Sequence, residues 1–429
     1  MDPFTVFSSP VFIGILQSIF RVFAATWWVI LPIGLFFIWK DLWVWGLHYL
    51  WKKNIKWALL EIKVPKNILK TPKAMENVFA ALHAMYIKNF GWEDRYFKGE
   101  DFQWFTCELV GYAGGVQFFI RCPEMSRNLV ESAIYSEYPD VEIIPADDYT
   151  DLMPDIMPND KYDLYGQDFV LAKPNPYPIR TYEFFEANVD EQRLDPISAI
   201  TEAMSRLKDG EAIWMQYLVK PVPDDWKKEG EAIRDKMMQR KAAKKEEGWV
   251  TGLMHFFYNL SLAAIEHPVW PGDEKPSTDR MIFLSPGENL VLKGVENKIS
   301  KLGFETVVRF LYIDKRDSFS PANISAVNGA IRQFNTQDMN AFKVLGDTVT
   351  FVTSRKFTYK SWFRKQRVLY KKRLFYDMYR LRWFPAKASV LNTEELATVF
   401  HFPLVTVEAP MLRRLDVRKG EPPAGLPIE

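Results

Sequence analysis

The chain has 429 residues, of which 48% are hydrophobic and 25% charged, enough apolar material for two or three compact units. Its 55 basic and 54 acidic side chains give a net charge of +1, which excludes a uniformly basic protein that coats nucleic acid. Two cysteines, Cys107 and Cys122, and five scattered histidines match no zinc-ligand spacing, and the cysteines are predicted to be reduced core residues on the two arms of one hairpin.

Residues 1–56 are predicted to form a membrane anchor. Val22 to Trp39 is a run of eighteen uncharged residues, at the lower limit of what crosses a bilayer as a helix. The tryptophans and lysines within 43–56 suit the headgroup boundary, and Arg21 is the only basic residue on the other side. The positive-inside rule therefore predicts a single-pass protein of the inner (cytoplasmic) membrane with its body in the cytoplasm. The weaker apolar run at 4–20 forms either a second span or an interfacial helix.

Residues 57–150 are predicted to form a first α+β unit with the order β-α-β-β-α-β. A strand over Ala58–Val64 is followed by a helix that begins at Pro72, after the N-cap residue Thr71. A hairpin with a glycine-rich turn occupies residues 102–121, and a second helix and a last strand follow it. This order of elements is typical of a ferredoxin-like unit.

An acidic linker, 151–177, is predicted to lead into a second unit of similar order at 178–353. Its strands are placed at residues 182–186, 213–219, 304–313 and 348–353. Its helices follow proline N1 positions, and Ser285 with Glu288 forms a capping box. A helical insertion is expected at about 224–276.

The predicted fold class is therefore α+β: an N-terminal transmembrane helix, two ferredoxin-like units with a helical insertion, and a basic C-terminal helix at 354–385. No phosphate-binding loop, zinc-protease motif, nucleophile elbow or dinucleotide fingerprint is present in the sequence. The sequence therefore predicts a protein that is not an enzyme and that needs no cofactor.

Residues 137–168, here called the acidic segment, hold ten carboxylates against the single lysine Lys161. Their spacing matches no calcium-binding loop, and prolines interrupt it. A solvated linker or docking surface and, less readily, a metal site are both compatible with this composition.

The stretch from Arg355 to Arg382 is the opposite, with eleven basic residues against Asp377 alone and eight interleaved aromatic residues. Four interpretations are open: contact with nucleic acid, contact with anionic lipid, an ordinary helix with an aromatic core face, or pairing with the acidic segment of the same molecule. The residues predicted to bind lipid or nucleic acid are Arg364, Lys365, Arg367, Lys371, Lys372 and Arg373.

The tail, 386–429, opens with a short helix that has Asn392 as its N-cap, Glu395 at N3 and Pro403 beyond its end. A Pro-Pro-x-x-Leu-Pro stretch follows at 422–427. The tail resembles the segment just upstream of the ATPase core in type IV secretion and conjugative DNA-transfer ATPases, above all their membrane-anchored bacterial forms. The chain departs from that family because it carries no Walker motif.

The resemblance implies a membrane-anchored, non-catalytic assembly or scaffold subunit of such a transport machine. It would dock a separate ATPase subunit through its tail and would act as a homo-oligomer or within a larger assembly, with membrane lipid and DNA as further partners. The alternative is a membrane-tethered nucleic-acid-binding protein that uses the basic aromatic stretch. The residues predicted to bind a partner are Glu394, Glu395, Phe400, His401 and Phe402.

Overall fold

The computed structural model divides the chain into two compact units. Unit 1 takes its residues from Met1–Lys56 and Ile87–Phe102, and unit 2 takes its residues from Trp57–Tyr86 and Gln103–Glu429. The residues that the structure describes are 10–65, 70–86, 91–100, 102–186, 195–238, 284–351, 363–385 and 387–403, and of residues 10–20, 22, 23, 29, 30 and 95 it describes the backbone only.

Unit 1 is built on one long helix, α1 (Pro10–Asn54), of 45 residues. A short π-helical turn, Asp94–Lys98, contacts it, and the Trp43 indole donates a hydrogen bond to the Tyr96 carbonyl over 3.2 Å. Gly99 ends this turn at φ +68°, and a Cβ there would lie 2.5 Å from the carbonyl carbon of Leu47. Only glycine allows both this backbone conformation and this close approach.

The predicted transmembrane helix is wrong. Across the part of the chain that the structure describes, no helix is both long enough and apolar enough to cross a membrane. A span needs about 20 consecutive apolar residues, and the predicted run stops at Lys40 and Asp41. In the predicted span the side chains of residues 22, 23, 29 and 30 lie outside the described residues, as do the side chains of the second apolar run at 4–20.

Unit 2 contains a single antiparallel sheet with nine strands among the described residues. In space the strands follow the order β4-β1-β3-β2-β6-β7-β5-β8. Strand β9 is not on that path and pairs with the first residues of β7, Gly303 to Thr306. The strands are β1 (Trp57–Lys63), β2 (Phe105–Tyr112), β3 (Gly115–Pro123), β4 (Glu142–Pro145), β5 (Tyr162–Leu171), β6 (Ala212–Pro221), β7 (Gly303–Lys315), β8 (Phe342–Val344) and β9 (Ser389–Asn392).

The prediction of two ferredoxin-like units is also wrong, because β2 and β6 join the two halves into one sheet. They pair along the whole of β2, from Phe105 opposite Val219 to Tyr112 opposite Ala212. Nearly every residue of these two strands is buried, so neither could serve as a solvent-exposed edge. The fold is α+β around one continuous sheet.

Three of the predicted elements have a different secondary structure. The linker predicted at 151–177 contains β5, which pairs with β7 in the interior of the sheet. The strand predicted at 182–186 is the short helix α4 (Tyr182–Glu186). Of the strand predicted at 348–353, residues 348–351 form turns and irregular backbone, and the last two residues lie outside the described residues.

The remaining helices are predominantly surface elements around the sheet. They are α2 (Pro72–Leu82), α3 (Arg127–Glu137), α5 (Ser198–Ser205), α6 (Lys227–Met237), α7 (Pro286–Ser300), α8 (Pro321–Arg332), α9 (Arg364–Arg380) and α10 (Thr393–Val399). The predicted capping box of Ser285 and Glu288 opens α7, and that of Asn392 and Glu395 opens α10. Of the predicted insertion only α6 and its flanks are described, because residues 239–283 lie outside the described residues.

Both faces of the sheet are covered. On one face the apolar sides of α2, α3, α5, α8 and α10 form the larger core with the strands. On the other face α9 packs Phe375, Tyr376 and Tyr379 against Trp214 of β6. Double coverage explains why the central strands are almost uniformly apolar instead of alternating. Both cysteines are free and buried on β2 and β3, as predicted.

Candidate functional surfaces and the buried polar row

Four polar side chains lie side by side across the centre of the sheet, and we call them the polar row. They are Glu108 on β2, Gln216 on β6, Arg309 on β7 and Asp168 on β5, and all are 0% exposed. Each stands directly opposite the next in the strand register. Gln216 donates to Glu108 over 3.0 Å, and Arg309 donates to Gln216 over 3.3 Å and to Asp168 over 2.9 Å.

The carboxyl end of α9 closes the polar row. The Arg309 guanidinium donates to the carbonyls of Met378 and Trp383, over 3.0 and 3.2 Å, and Gln216 donates to the carbonyl of Tyr379. Carbonyls at the end of a helix lack intrahelical partners and carry partial negative charge, so a buried cation there is doubly favourable. The row therefore fixes where α9 ends.

Arg382, just beyond α9, extends the row into an ion cluster. Its guanidinium binds Glu108 over 3.1 Å and also binds Asp148. Burial by itself would raise the pKa of Glu108, but the attraction of Arg382 outweighs burial and holds that pKa below its ordinary value. The pKa of Asp148 is lowered in the same way. Both carboxylates are therefore ionised partners of Arg382, and the cluster is a structural clamp with every charge paired.

The acidic segment, residues 137–168, binds α9 within the same molecule. Lys372 pairs with Asp163 over 2.6 Å, and Arg380 pairs with Asp151 and Asp155 over 3.2 and 2.9 Å. Intramolecular pairing was one of the four interpretations of the basic stretch, and it holds for these cations and for Arg382. Across the described residues, no group of three or more acidic, histidine or cysteine side chains could hold a metal ion.

The six residues predicted to bind lipid or nucleic acid fall into two groups. Lys372 is engaged by Asp163, and Lys371 donates to the Val349 carbonyl over 3.2 Å. Arg364, Lys365 and Arg373 are exposed and, among the described residues, have no carboxylate partner, while Arg367 is half-buried. The prediction can therefore still apply at Arg364, Lys365 and Arg373.

The five residues predicted to bind a partner are all buried in unit 2. Glu395 completes the capping box of α10 and pairs with the fully buried Lys298 over 2.9 Å. Glu394 binds Lys301 over 2.8 Å. Both carboxylates thus contact their own chain.

The last three of these residues also lie in the interior. His401 directs Nε2 to Asp195 over 2.8 Å and Nδ1 to the Ala397 carbonyl over 2.8 Å. Phe400 and Phe402 pack edge-on against Phe118 on the larger core. Helix α10 packs on the sheet, so the residues that were predicted to bind a partner belong to a buried segment.

A cavity of about 270 Å³ lies beside Lys298 and is lined in part by Thr181, Asn297 and Met339. Charged side chains of both signs border it, Lys293 and Lys298 against Glu183 and Glu394. The balance of charge gives it no preference for an anion or a cation.

Unit 1 presents the largest exposed apolar surface among the described residues, and we call it the α1 apolar surface. Its members are between 48% and 64% exposed. They are Trp27, Trp28, Leu31, Ile33, Leu35, Phe36, Phe37, Ile38, Trp39, Leu42, Trp43, Trp45, Tyr49 and Leu50. The five consecutive residues from Leu35 to Trp39 point to all sides of the helix, since successive residues are about 100° apart. Soluble monomers rarely expose so large a patch.

The polar row is the feature that sequence reasoning missed. Its signal was a charged residue inside an apolar strand, as with Glu108 and Arg309, since charged side chains are almost never fully buried unless paired. The partner of each lies about a hundred residues away or further in the chain, so the pairing could not be predicted from the sequence.

Comparison with known proteins gives a family without a known function. Residues 50–411, well over half of the chain, match the family described as a domain of unknown function, DUF8128. The matched region begins near the end of α1 and contains nearly all of the described part of unit 2. No curated protein matches the sequence significantly. The chain therefore belongs to the DUF8128 family.

Proposed function

We propose that this protein is a membrane-associated, non-catalytic scaffold whose α1 apolar surface contacts lipid hydrocarbon. The observation that carries the proposal is the exposure of fourteen large apolar side chains along α1, from Trp27 to Leu50. A bilayer surface buries such side chains at the boundary between headgroups and acyl chains, as it does for helices that lie in the interface, whereas a partner helix covers one stripe.

The order of residues along α1 supports lipid as the partner. The aliphatic and phenylalanine side chains lie at 31–38, and Trp43, Trp45 and Tyr49 follow towards the carboxyl end. Lys52 and Lys53 complete the last turn. Aromatic residues with a polar edge, followed by lysines, are typical of the headgroup region of a bilayer.

The scaffold role is supported by how unit 2 uses its buried charges. Arg309, Arg382 and Lys298 each bind a carboxylate of the same chain and hold secondary structure in place. A group so engaged is a structural tie and is not positioned to act on a substrate.

Membership of a type IV secretion-like or conjugation-like machine, with a separate ATPase, stays a prediction from the resemblance of the tail. Docking through the five predicted tail residues is not supported, because these side chains are buried. The Pro-Pro-x-x-Leu-Pro stretch at 422–427 lies outside the described residues.

The lipid proposal is tested by flotation of the full chain with phosphatidylcholine vesicles. The variant Phe36→Gln/Phe37→Gln/Ile38→Gln removes three half-exposed side chains. Full burial of such a side chain stabilises by about 1.5–3 kcal/mol. Loss of half that free energy at each of the three positions lowers the partition coefficient for the vesicles on the order of 100-fold. A matched control, Met125→Gln/Leu152→Gln/Ile156→Gln, changes equally exposed apolar residues in unit 2 and should float like the wild type.

Equal flotation of both variants, or a wild-type chain that stays with the vesicle-free fraction, would contradict the proposal. If instead the α1 variant changes the sedimentation coefficient of the protein without changing its flotation, the α1 apolar surface binds protein and not lipid.

A further inference from the structure

In the fold, some cations of the basic stretch are paired with carboxylates and others are not. Lys372, Arg380 and Arg382 bind carboxylates of the same unit. Arg364 and Lys365, in the first turn of α9, and Arg373 have no such partner among the described residues. Two of these cations lie in the first turn of the helix and Arg373 lies just beyond its middle, and all three are exposed to an external anion.

Two of these cations, Arg364 and Lys365, line a concavity with an excess of positive charge. It measures about 450 Å³ and is lined by Arg316 from the end of β7 and by Arg364, Lys365 and Lys372 of α9. Its only lining carboxylate among the described residues is Asp163, which Lys372 already engages. Two separate elements thus contribute cations to one concavity of a size that admits a phosphate-bearing headgroup.

The solvent-facing side of the same helix carries an apolar stripe, which we call the outer stripe: Phe363, Tyr370, Leu374 and Leu381. These side chains are 62%, 67%, 44% and 65% exposed. Their spacing of seven, four and seven residues places them on one face. The opposite face is the buried one, with Phe375, Tyr376 and Tyr379. Helix α9 is therefore apolar on both faces. At about 100° per residue, Arg364 and Arg373 lie on the two flanks of the outer stripe, whereas Lys365 lies on the side of the buried face.

The composition of the outer stripe distinguishes between lipid and nucleic acid. Bases bind single-stranded-nucleic-acid proteins by stacking on π faces, and two of the four side chains, Leu374 and Leu381, offer none. A helix face of aromatic and leucine side chains bordered by arginine and lysine is typical of helices that lie in a bilayer interface.

We infer that unit 2 docks onto an anionic lipid surface through α9. The outer stripe enters the interface, Arg364 and Arg373 on its flanks bind phosphate headgroups, and Lys365 adds positive charge at the amino-terminal end of the helix. This contact adds to the lipid contact proposed for α1 and rests on that proposal only in placing the protein at a membrane. It differs in requiring negatively charged lipid.

The experiment reports the environment of the outer stripe directly, so it is independent of how α1 binds. The full chain with Tyr370→Cys is labelled with an environment-sensitive fluorophore. Burial raises the pKa of Cys107 far above its ordinary value and that of Cys122 to about 12, so these native thiols compete little for the label. The protein is placed in phosphatidylcholine bilayers with or without phosphatidylglycerol.

The expected result is a blue shift and protection from iodide quenching only where phosphatidylglycerol is present. A label at Met125→Cys, an equally exposed site in the same unit, should stay quenchable in both bilayers. Each surface cation contributes about fivefold to binding of an anionic membrane, so Arg364→Gln/Lys365→Gln/Arg373→Gln should lower the docked fraction on the order of 100-fold. The control Lys208→Gln/Lys293→Gln/Arg332→Gln removes equal charge from exposed positions elsewhere and should leave protection unchanged.

Three outcomes would overturn the inference. The first is equal quenching of the label in both bilayers, and the second is equal behaviour of the two charge variants. The third is stronger protection of the label by a single-stranded oligonucleotide than by lipid, which would assign the surface to nucleic acid. Failure of the α1 proposal is visible separately, as absence of flotation with phosphatidylcholine vesicles.

Discussion

Removing Arg382 should destabilise unit 2 far more than removing Arg380, two residues earlier in the chain. Arg382 is 1% exposed and pairs with Glu108, which is 0% exposed, so Arg382→Met leaves a buried carboxylate without its cation. Breaking such a pair from one side costs about 3–5 kcal/mol. Arg380 pairs with Asp151 and Asp155, whose side chains are 69% and 86% exposed. Arg380→Met should therefore cost only about 0–1 kcal/mol.

Hydrogen exchange of the β6 and β7 amides measures this difference, because these central strands open only when unit 2 unfolds. The assay reads unit 2 in the full chain whatever state α1 is in. The double variant Glu108→Leu/Arg382→Met removes both charges and should recover at least about 1 kcal/mol relative to Arg382→Met alone. If Arg382→Met cost no more than Arg380→Met, the cluster would not be the tie that we infer.

The wild-type protein and the Arg382→Met variant should respond differently to acid. In the folded chain the pKa values of Glu108 and Asp148 lie below their ordinary values of 4.5 and 3.8. At a pH between the folded and the ordinary value, the unfolded chain therefore binds more protons than the folded chain. Their contribution is complete above the ordinary values and is lost as the pH falls through the folded values. Arg382→Met lacks this contribution, so the gap in unfolding free energy between wild type and variant should narrow below a pH of about 4. A gap that stays constant would contradict the assignment.

Two further predictions concern other positions in unit 2. Lys298→Met should cost about 3–5 kcal/mol because it leaves Glu395 buried and uncompensated, while Lys298→Met/Glu395→Gln should cost less than the single change in a denaturant titration. A larger cost for the double variant would show that Glu395 acts mainly as a cap. Gly166→Ala should destabilise by about 1–3 kcal/mol, because the new Cβ would lie 2.2 Å from the Phe375 ring of α9. Gly329→Ala, on an exposed helix with open space, should instead stabilise by about 0.5–1 kcal/mol, and equal effects of the two changes would contradict the close packing of α9.

Local features of this protein were readable from short stretches of sequence. The N-cap and proline pair at Thr71 and Pro72 predicted the beginning of α2, and the capping box at Asn392 and Glu395 predicted that of α10. The glycine-rich turn predicted the hairpin of β2 and β3. These features succeed because each acts within three or four residues. The Asn392 side chain accepts from the Glu395 amide, and Pro72 begins α2 without a side-chain cap bond from Thr71.

Errors arose where the outcome depended on residues distant in the chain. The strand β5 looked like an acidic linker because Asp163 and Asp168 interrupt it, yet these carboxylates bind Lys372 and Arg309. The segment 182–186 is apolar enough for a strand, but the sheet positions are filled by other strands, and it forms a helix. Burial of a charge is unfavourable until its partner arrives, and the partner is a property of the fold.

The sequence by itself determined the element boundaries at caps and turns, the absence of known catalytic motifs, and the separation of an apolar amino-terminal helix from a mixed body. Only the tertiary structure decided that the strands form one sheet, that α10 is buried against it, and which basic residues of α9 have no carboxylate partner among the described residues. The physical reason is the distance along the chain over which each interaction acts. Capping and turn chemistry act over a few residues, whereas strand register, burial and ion pairing are set by segments that meet only after the chain has folded.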